Sequence, residues 1–177
     1  MHTITKRISV WALVIVGVLM IPLVLTMHGE GFTWSGFDFL FAGILLFGSG
    51  VAYELIVRAS TKTTYRLAAG LTVLTVVALV WINSAVGIIG DGPANALYIA
   101  VLATLFLGTI IARLKPTGMS RALYATAAAQ ALVPLVALFV WRAEFDRAPG
   151  MFGIFILNSV FIVMFVGSGL LFRQANK

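Results

Sequence analysis

Six long apolar stretches fill almost the whole of this 177-residue chain, and the short polar breaks between them are by turns basic and nearly neutral. A bilayer's hydrocarbon core is about 30 Å thick, and a helix rising about 1.5 Å per residue needs roughly 20 apolar residues to cross it. The stretches meet that length, which predicts spans at Ile8–Met27, Gly36–Arg58, Tyr65–Gly90, Ala94–Arg113, Ser120–Trp141 and Gly150–Phe172. None of them alternates polar and apolar residues as a barrel strand does, and hydrocarbon offers no water to unpaired backbone groups. The expected fold class is all-α: a polytopic transmembrane helix bundle of six spans, one domain over residues 1–177.

Orientation follows from the basic residues. Lys6 and Arg7 precede the first stretch; Arg58, Lys62 and Arg66 surround the second connection; Arg113, Lys115 and Arg121 surround the fourth; Arg173 and Lys177 close the chain. Of the 12 lysines and arginines, only Arg142 and Arg147 fall on the other side, where Glu144 and Asp146 share their loop and Glu30, Asp38 and Asp91 also lie. The positive-inside rule then places both termini in the cytoplasm. The net charge of +6 is a topology signal. A nucleic-acid partner is not expected, since a basic stripe needs a solvated domain to carry it. The first stretch is read as retained, because its apolar region is too long for a signal-peptide core and Leu25-Thr26-Met27-His28-Gly29 offers no small-x-small cleavage site.

The connections reach only about eight residues, which leaves no room between spans for a soluble catalytic domain. No Gly-x-x-x-x-Gly-Lys phosphate loop occurs, and Gly48-Ser49-Gly50 lies inside an apolar stretch, where glycine means close helix contact. The chain has no cysteine, which removes thiolate chemistry and iron–sulfur ligation. His2 and His28 are the only imidazoles, and neither lies in the interior of a span. His28 with Glu30 reads as a solvated loop pair, so no metal and no cofactor is expected. No nucleophile–base pair is visible, and no catalytic residue is assigned.

Polar groups within the spans are the candidates for a site, because each is costly in hydrocarbon and must find a partner. Asn83 and Asn158 are expected at matching depth, roughly 10–12 Å from the outer ends of their helices. Gly87 and Gly90 would then lie on the Asn83 face and open a groove there. The two asparagines form either an interhelical amide bridge or a small pocket, with Asp38, Asp91 and Asn95 at its mouth. Gln130 coincides with a backbone carbonyl that Pro134 cannot serve, because proline has no N–H. Glu54 stands four residues before Arg58, the favourable order for a helical ion pair at the inner side. Packing faces are expected at Ala125/Ala129 and Ala127/Ala131 in the fifth span and at Gly48/Ala52 in the second, where small residues let helices approach.

The stretch Trp81-Ile82-Asn83-Ser84-Ala85-Val86-Gly87-Ile88-Ile89-Gly90, with Trp34-Ser35-Gly36-Phe37-Asp38-Phe39 and Leu45-Leu46-Phe47-Gly48-Ser49-Gly50 leading to Tyr53-Glu54-Leu55, resembles a group of small uncharacterised bacterial multi-pass membrane proteins. The resemblance covers most of residues 34–130. It implies a bacterial inner-membrane location and nothing about chemistry. Two function classes follow from the residues. One is a non-catalytic membrane accessory or packing protein, whose partners are the lipid bilayer, a second copy or another membrane protein. The other is a small passive or ion-coupled transporter or channel, taking a small solute or ion at the outer polar cluster.

Overall fold

The computed structural model describes residues 2–28, 33–90, 92–146 and 149–176, with side chains from Ser9 onward. Six helices account for most of them: α1 His2–His28, α2 Gly36–Val57, α3 Thr63–Ala85, α4 Leu97–Ala112, α5 Pro116–Val140 and α6 Gly150–Gln174. Short 3-10 turns at Pro93–Ala96 and Arg142–Asp146 precede α4 and α6, and no strand occurs among the described residues. Each of six segments, the fourth running Pro93–Ala112, is long and apolar enough to cross a membrane. The chain divides into two compact units, Met1–Leu55 and Ile56–Lys177.

The first unit is a helical hairpin. Gly50 lets α2 approach the Trp11 indole of α1, since a Cβ at Gly50 would lie 3.0 Å from the ring. Tyr53 meets the same indole edge-on, at a centroid distance of 6.3 Å. The Gly48/Ala52 pair, expected to form the packing face of this helix, does not make the close contact. Gly48 is exposed, and a Cβ placed there would meet nothing within 4 Å among the described residues, while Ala52 is only half-buried. Gly50 lies two residues from both Gly48 and Ala52, which turns it about 200° away from them on a helix. The seam with α1 therefore runs along the Gly50 side of α2, and the Gly48/Ala52 spacing alone did not reveal which side that was.

The second unit is a layered bundle in which α4 packs on α5, α5 on α6, and α6 on α3. In α5 the buried residues Met119, Ala122, Leu123, Thr126, Ala127, Gln130, Val133, Pro134 and Ala137 recur every three or four positions and form one stripe. In α6 the stripe is Ile154, Asn158, Phe161, Phe165, Ser168 and Phe172, a strict alternation of four and three. That 3.5-residue period is the one that keeps a seam facing neighbouring helices along their length. The outer faces carry large apolar side chains, such as Phe139 at 87% and Ile111 at 81% exposure, a surface suited to lipid rather than water.

Small residues set the α4–α5 distance. A Cβ at Gly108 would stand 2.7 Å from the Ala122 Cβ, and one at Gly118 would stand 2.8 Å from the Ala112 Cα. Each helix thus offers a glycine to an alanine of the other. The turn between them holds Arg113 and Leu114 at φ 49° and 58°, the left-handed region that non-glycine residues rarely occupy. Tyr65 of α3 fastens this turn by donating its hydroxyl to the Leu114 carbonyl at 2.7 Å. At the same end Lys62 Nζ donates to the Ala175 carbonyl after α6, at 3.0 Å.

The third helix stops at Ala85, five residues before the predicted end. Gly87 adopts φ +65° and its N–H bonds the Asn83 carbonyl, the left-handed termination that glycine permits without a Cβ clash. Ile88 and Ile89 are fully buried in the loop that follows, so the apolar run outlasts the helix. Gly87 and Gly90 are therefore loop residues at positive φ and do not form a groove on a helical Asn83 face. In α5, Ala127 is buried at 5% whereas Ala125 is exposed, and Ala129 and Ala131 are half-buried. The Ala127 side of that helix faces its neighbours, and Ala125 does not. Ala127→Leu is accordingly expected to destabilise the bundle by about 1–3 kcal/mol through overpacking, and Ala125→Leu by less than about 0.5 kcal/mol. Thermal unfolding of both variants in one detergent checks this, and equal melting points would contradict the assignment.

Candidate functional site

One buried polar layer crosses three helices of the second unit. Asn158 lies eight residues into α6, and its Nδ2 donates to the Ile154 carbonyl one turn back at 2.8 Å. That bond turns Oδ1 towards the neighbouring helices. Tyr98, on the first turn of α4, donates its hydroxyl to Oδ1 at 3.1 Å, and Gln130 of α5 donates from Nε2 at 2.9 Å. The three residues are 2%, 0% and 1% exposed for Tyr98, Gln130 and Asn158, so water does not compete for these bonds. Two donors converging on one acceptor tie α4 and α5 to α6.

The orientation of the Gln130 amide is fixed by its partner. Since Asn158 presents an oxygen, Gln130 must present its nitrogen, and the reversed amide would set two acceptors 2.9 Å apart. Gln130 Oε1 is left buried with no hydrogen-bond partner among the described residues. Its main-chain carbonyl also lacks the helical donor, because Pro134 stands at i+4. No Asp, Glu, Lys or Arg lies in α4, and the only ones in α5 and α6 are Arg121 and Arg173, each about a turn from the basic end. The layer is polar and uncharged.

The remaining sequence candidates go elsewhere. Asn83 is the third-from-last residue of α3, half-buried, with Oδ1 unpartnered among the described residues, and no hydrogen bond joins it to Asn158. The matched depth rested on a helix reaching Gly90, and α3 ends before it. Asn95 knits the loop before α4: Oδ1 accepts from the Ile89 N–H at 3.0 Å, and Nδ2 donates to the Gly90 carbonyl at 2.6 Å. Gly92 of that loop is pressed against the Glu144 carboxylate, with a Cβ there only 2.8 Å from Oε1. Asp91 lies outside the described residues.

In the first unit Asp38 caps its own helix. Its Oδ2 accepts from the Ser35 N–H and hydroxyl, both at 2.7 Å, while the Ser35 hydroxyl oxygen accepts from the Asp38 N–H at 3.3 Å, a reciprocal capping box. Glu54 Oε1 accepts from the Trp11 indole N–H at 3.4 Å. Arg58 falls in the turn after Val57, the last residue of α2, so the helical face assumed for a Glu54–Arg58 pair does not extend to it.

Tyr98 was not singled out from the sequence, where it reads as an aromatic near the outer boundary. The available signal was its place at the head of the Tyr98, Val101, Leu105 stripe, since a tyrosine on a buried stripe needs a partner for its hydroxyl. Among the described residues no group of three His, Cys, Asp or Glu is arranged to hold a metal ion. No protein-family model matches the chain, and comparisons with curated proteins and with solved structures return no significant match.

Proposed function

We propose that this chain is a non-catalytic integral protein of the bacterial inner membrane, with both termini in the cytoplasm, acting as an accessory or packing partner of another membrane protein or of a second copy. The observation that carries the reading is the use of the in-span polar groups. The hydroxyls of Thr72, Thr75, Thr104, Thr126 and Ser159 each donate to the carbonyl four residues back. None of these is aligned with a base, as a nucleophile must be. Asn158 is occupied by Tyr98, Gln130 and Ile154, and Asn95 by its own loop. The surface left open to a partner is largely apolar helix, and the hairpin contributes much of it: the α1 span is 6% buried and the α2 span 17%. An ion-coupled transporter is the weaker alternative, because the polar layer carries no charge to compensate an ion in low dielectric.

The bacterial location rests on the resemblance of residues 34–130, and the orientation on the placement of the basic residues. Reporter fusions at Lys62 and Thr117 should give cytoplasmic signal and those at Gly31 and Gly92 exterior signal. Signal of one kind at all four positions would sink the topology. For the accessory role, mild-detergent extraction from the native membrane should yield one complex of fixed stoichiometry, larger than the monomer. A monomer there, together with solute or ion flux in liposomes, would favour the transport alternative instead.

A further inference from the structure

We propose that the Tyr98–Gln130–Asn158 layer is a binding site for one small uncharged solute bearing both a hydrogen-bond donor and an acceptor, of the amide or hydroxyl class. Gln130 is 0% exposed, and its Oε1 is a buried acceptor with no hydrogen-bond partner among the described residues. It lies 14 residues from the start of α5 and 10 from its end, roughly 21 and 15 Å along the axis, hence near the middle of a span. An acceptor at that depth has no bulk water to turn to, and leaving it unmet is unfavourable.

The open valences around it define the ligand. Gln130 Nε2 and Asn158 Nδ2 each carry two hydrogens and spend one, on Asn158 Oδ1 and the Ile154 carbonyl respectively. Tyr98 donates its only hydroxyl hydrogen and keeps oxygen lone pairs. An unserved acceptor, Gln130 Oε1, therefore belongs to the same layer as two amide groups that each keep a second hydrogen to give. A group that both donates and accepts complements this set. A cation or anion does not, because α4 holds no charged side chain and those of α5 and α6 lie near the basic end.

A bound neutral solute is compatible with either partner-free or partnered protein, so the site goes beyond the accessory role and is independent of it. Acetamide is the probe. The full chain in lipid nanodiscs should show a saturable rise in melting temperature with acetamide, about 5 °C or more at saturation, and none with sodium chloride at equal concentration. Gln130→Met, which keeps the side-chain length and removes the amide, should abolish the shift. Tyr98→Phe keeps the ring and removes the hydroxyl, and it should raise the half-saturating concentration several-fold, which covers the case of Gln130→Met failing to fold. No saturable shift in the wild type, as expected if a water molecule alone fills the layer, overturns the proposal. So does an equal shift in the variants, or one produced by salt. A failed acetamide titration with an intact oligomer leaves the accessory reading standing, whereas a monomer with a saturable shift does the reverse.

Discussion

Asn158→Leu should lower the stability of the α3–α6 bundle by about 2–3 kcal/mol, although leucine is apolar and suits a membrane helix better than asparagine. The substitution deletes the one acceptor shared by the Tyr98 hydroxyl and the Gln130 amide, leaving two buried donors without partners. Each orphaned donor costs about 1–3 kcal/mol in a dry interior, and the lower part of that range applies where the unfolded chain finds partners of its own within the bilayer. Tyr98→Phe should cost less, about 1 kcal/mol, because Asn158 Oδ1 keeps its bond from Gln130. The neighbouring Ser159→Ala should be nearly silent, since that hydroxyl bonds within its own helix and faces outward. Reversible unfolding in detergent, followed by near-ultraviolet circular dichroism, gives the three values on one scale. If Asn158→Leu and Ser159→Ala melt together, the layer does not hold the bundle.

The six helices were legible because hydropathy and length act locally, whereas the layer needed to know which helices are neighbours. Gln130 and Asn158 stood out separately as costly polar groups, but nothing in their spacing says that α5 and α6 meet at that level. The 3.5-residue stripe from Ile154 to Phe172 carries Asn158 on the buried seam, but α6 is apolar on its other faces too, so the sequence did not mark that stripe as the buried one. Pairing Asn158 with Asn83 came from counting depth along an apolar run that continues through Ile88 and Ile89 after the helix has ended. Glycine at position 87 was the stop signal, outweighed by hydropathy. Ser35-Gly36-Phe37-Asp38 likewise spelled a four-residue capping box, and reading Asp38 for its charge alone assigned it to a pocket mouth. In each case a local backbone rule competed with a transmembrane count, and the backbone rule prevailed.

The other large effect is expected at Gly108, where α4 meets Ala122 of α5 in close contact. Gly108→Leu should cost about 3 kcal/mol or more, because even the first carbon of a side chain would stand 2.7 Å from the Ala122 Cβ and 3.3 Å from its Cα. A methyl group on a flexible side chain could move aside, but Ala122 has no torsion by which to yield, so the helices themselves must separate. Separation would loosen a contact that lipid cannot replace, since close packing stands in for the hydrophobic effect between membrane helices. Gly108→Ala should cost about 1–2 kcal/mol, and adding Ala122→Gly should return much of it by exchanging the small side for the larger one. Full restoration is not expected, because glycine in a helix interior costs up to about 1 kcal/mol relative to alanine and a 3.3 Å approach to the Cα persists. Gly48→Ala in α2 is the control: its added carbon meets nothing within 4 Å among the described residues, and the helix gains from losing a glycine. The informative quantity is the coupling between positions 108 and 122 in a double-mutant cycle. Additive costs there would mean that the two helices do not meet at this point, and the α4 side of the Tyr98–Asn158 bond would lose the contact that holds it in reach.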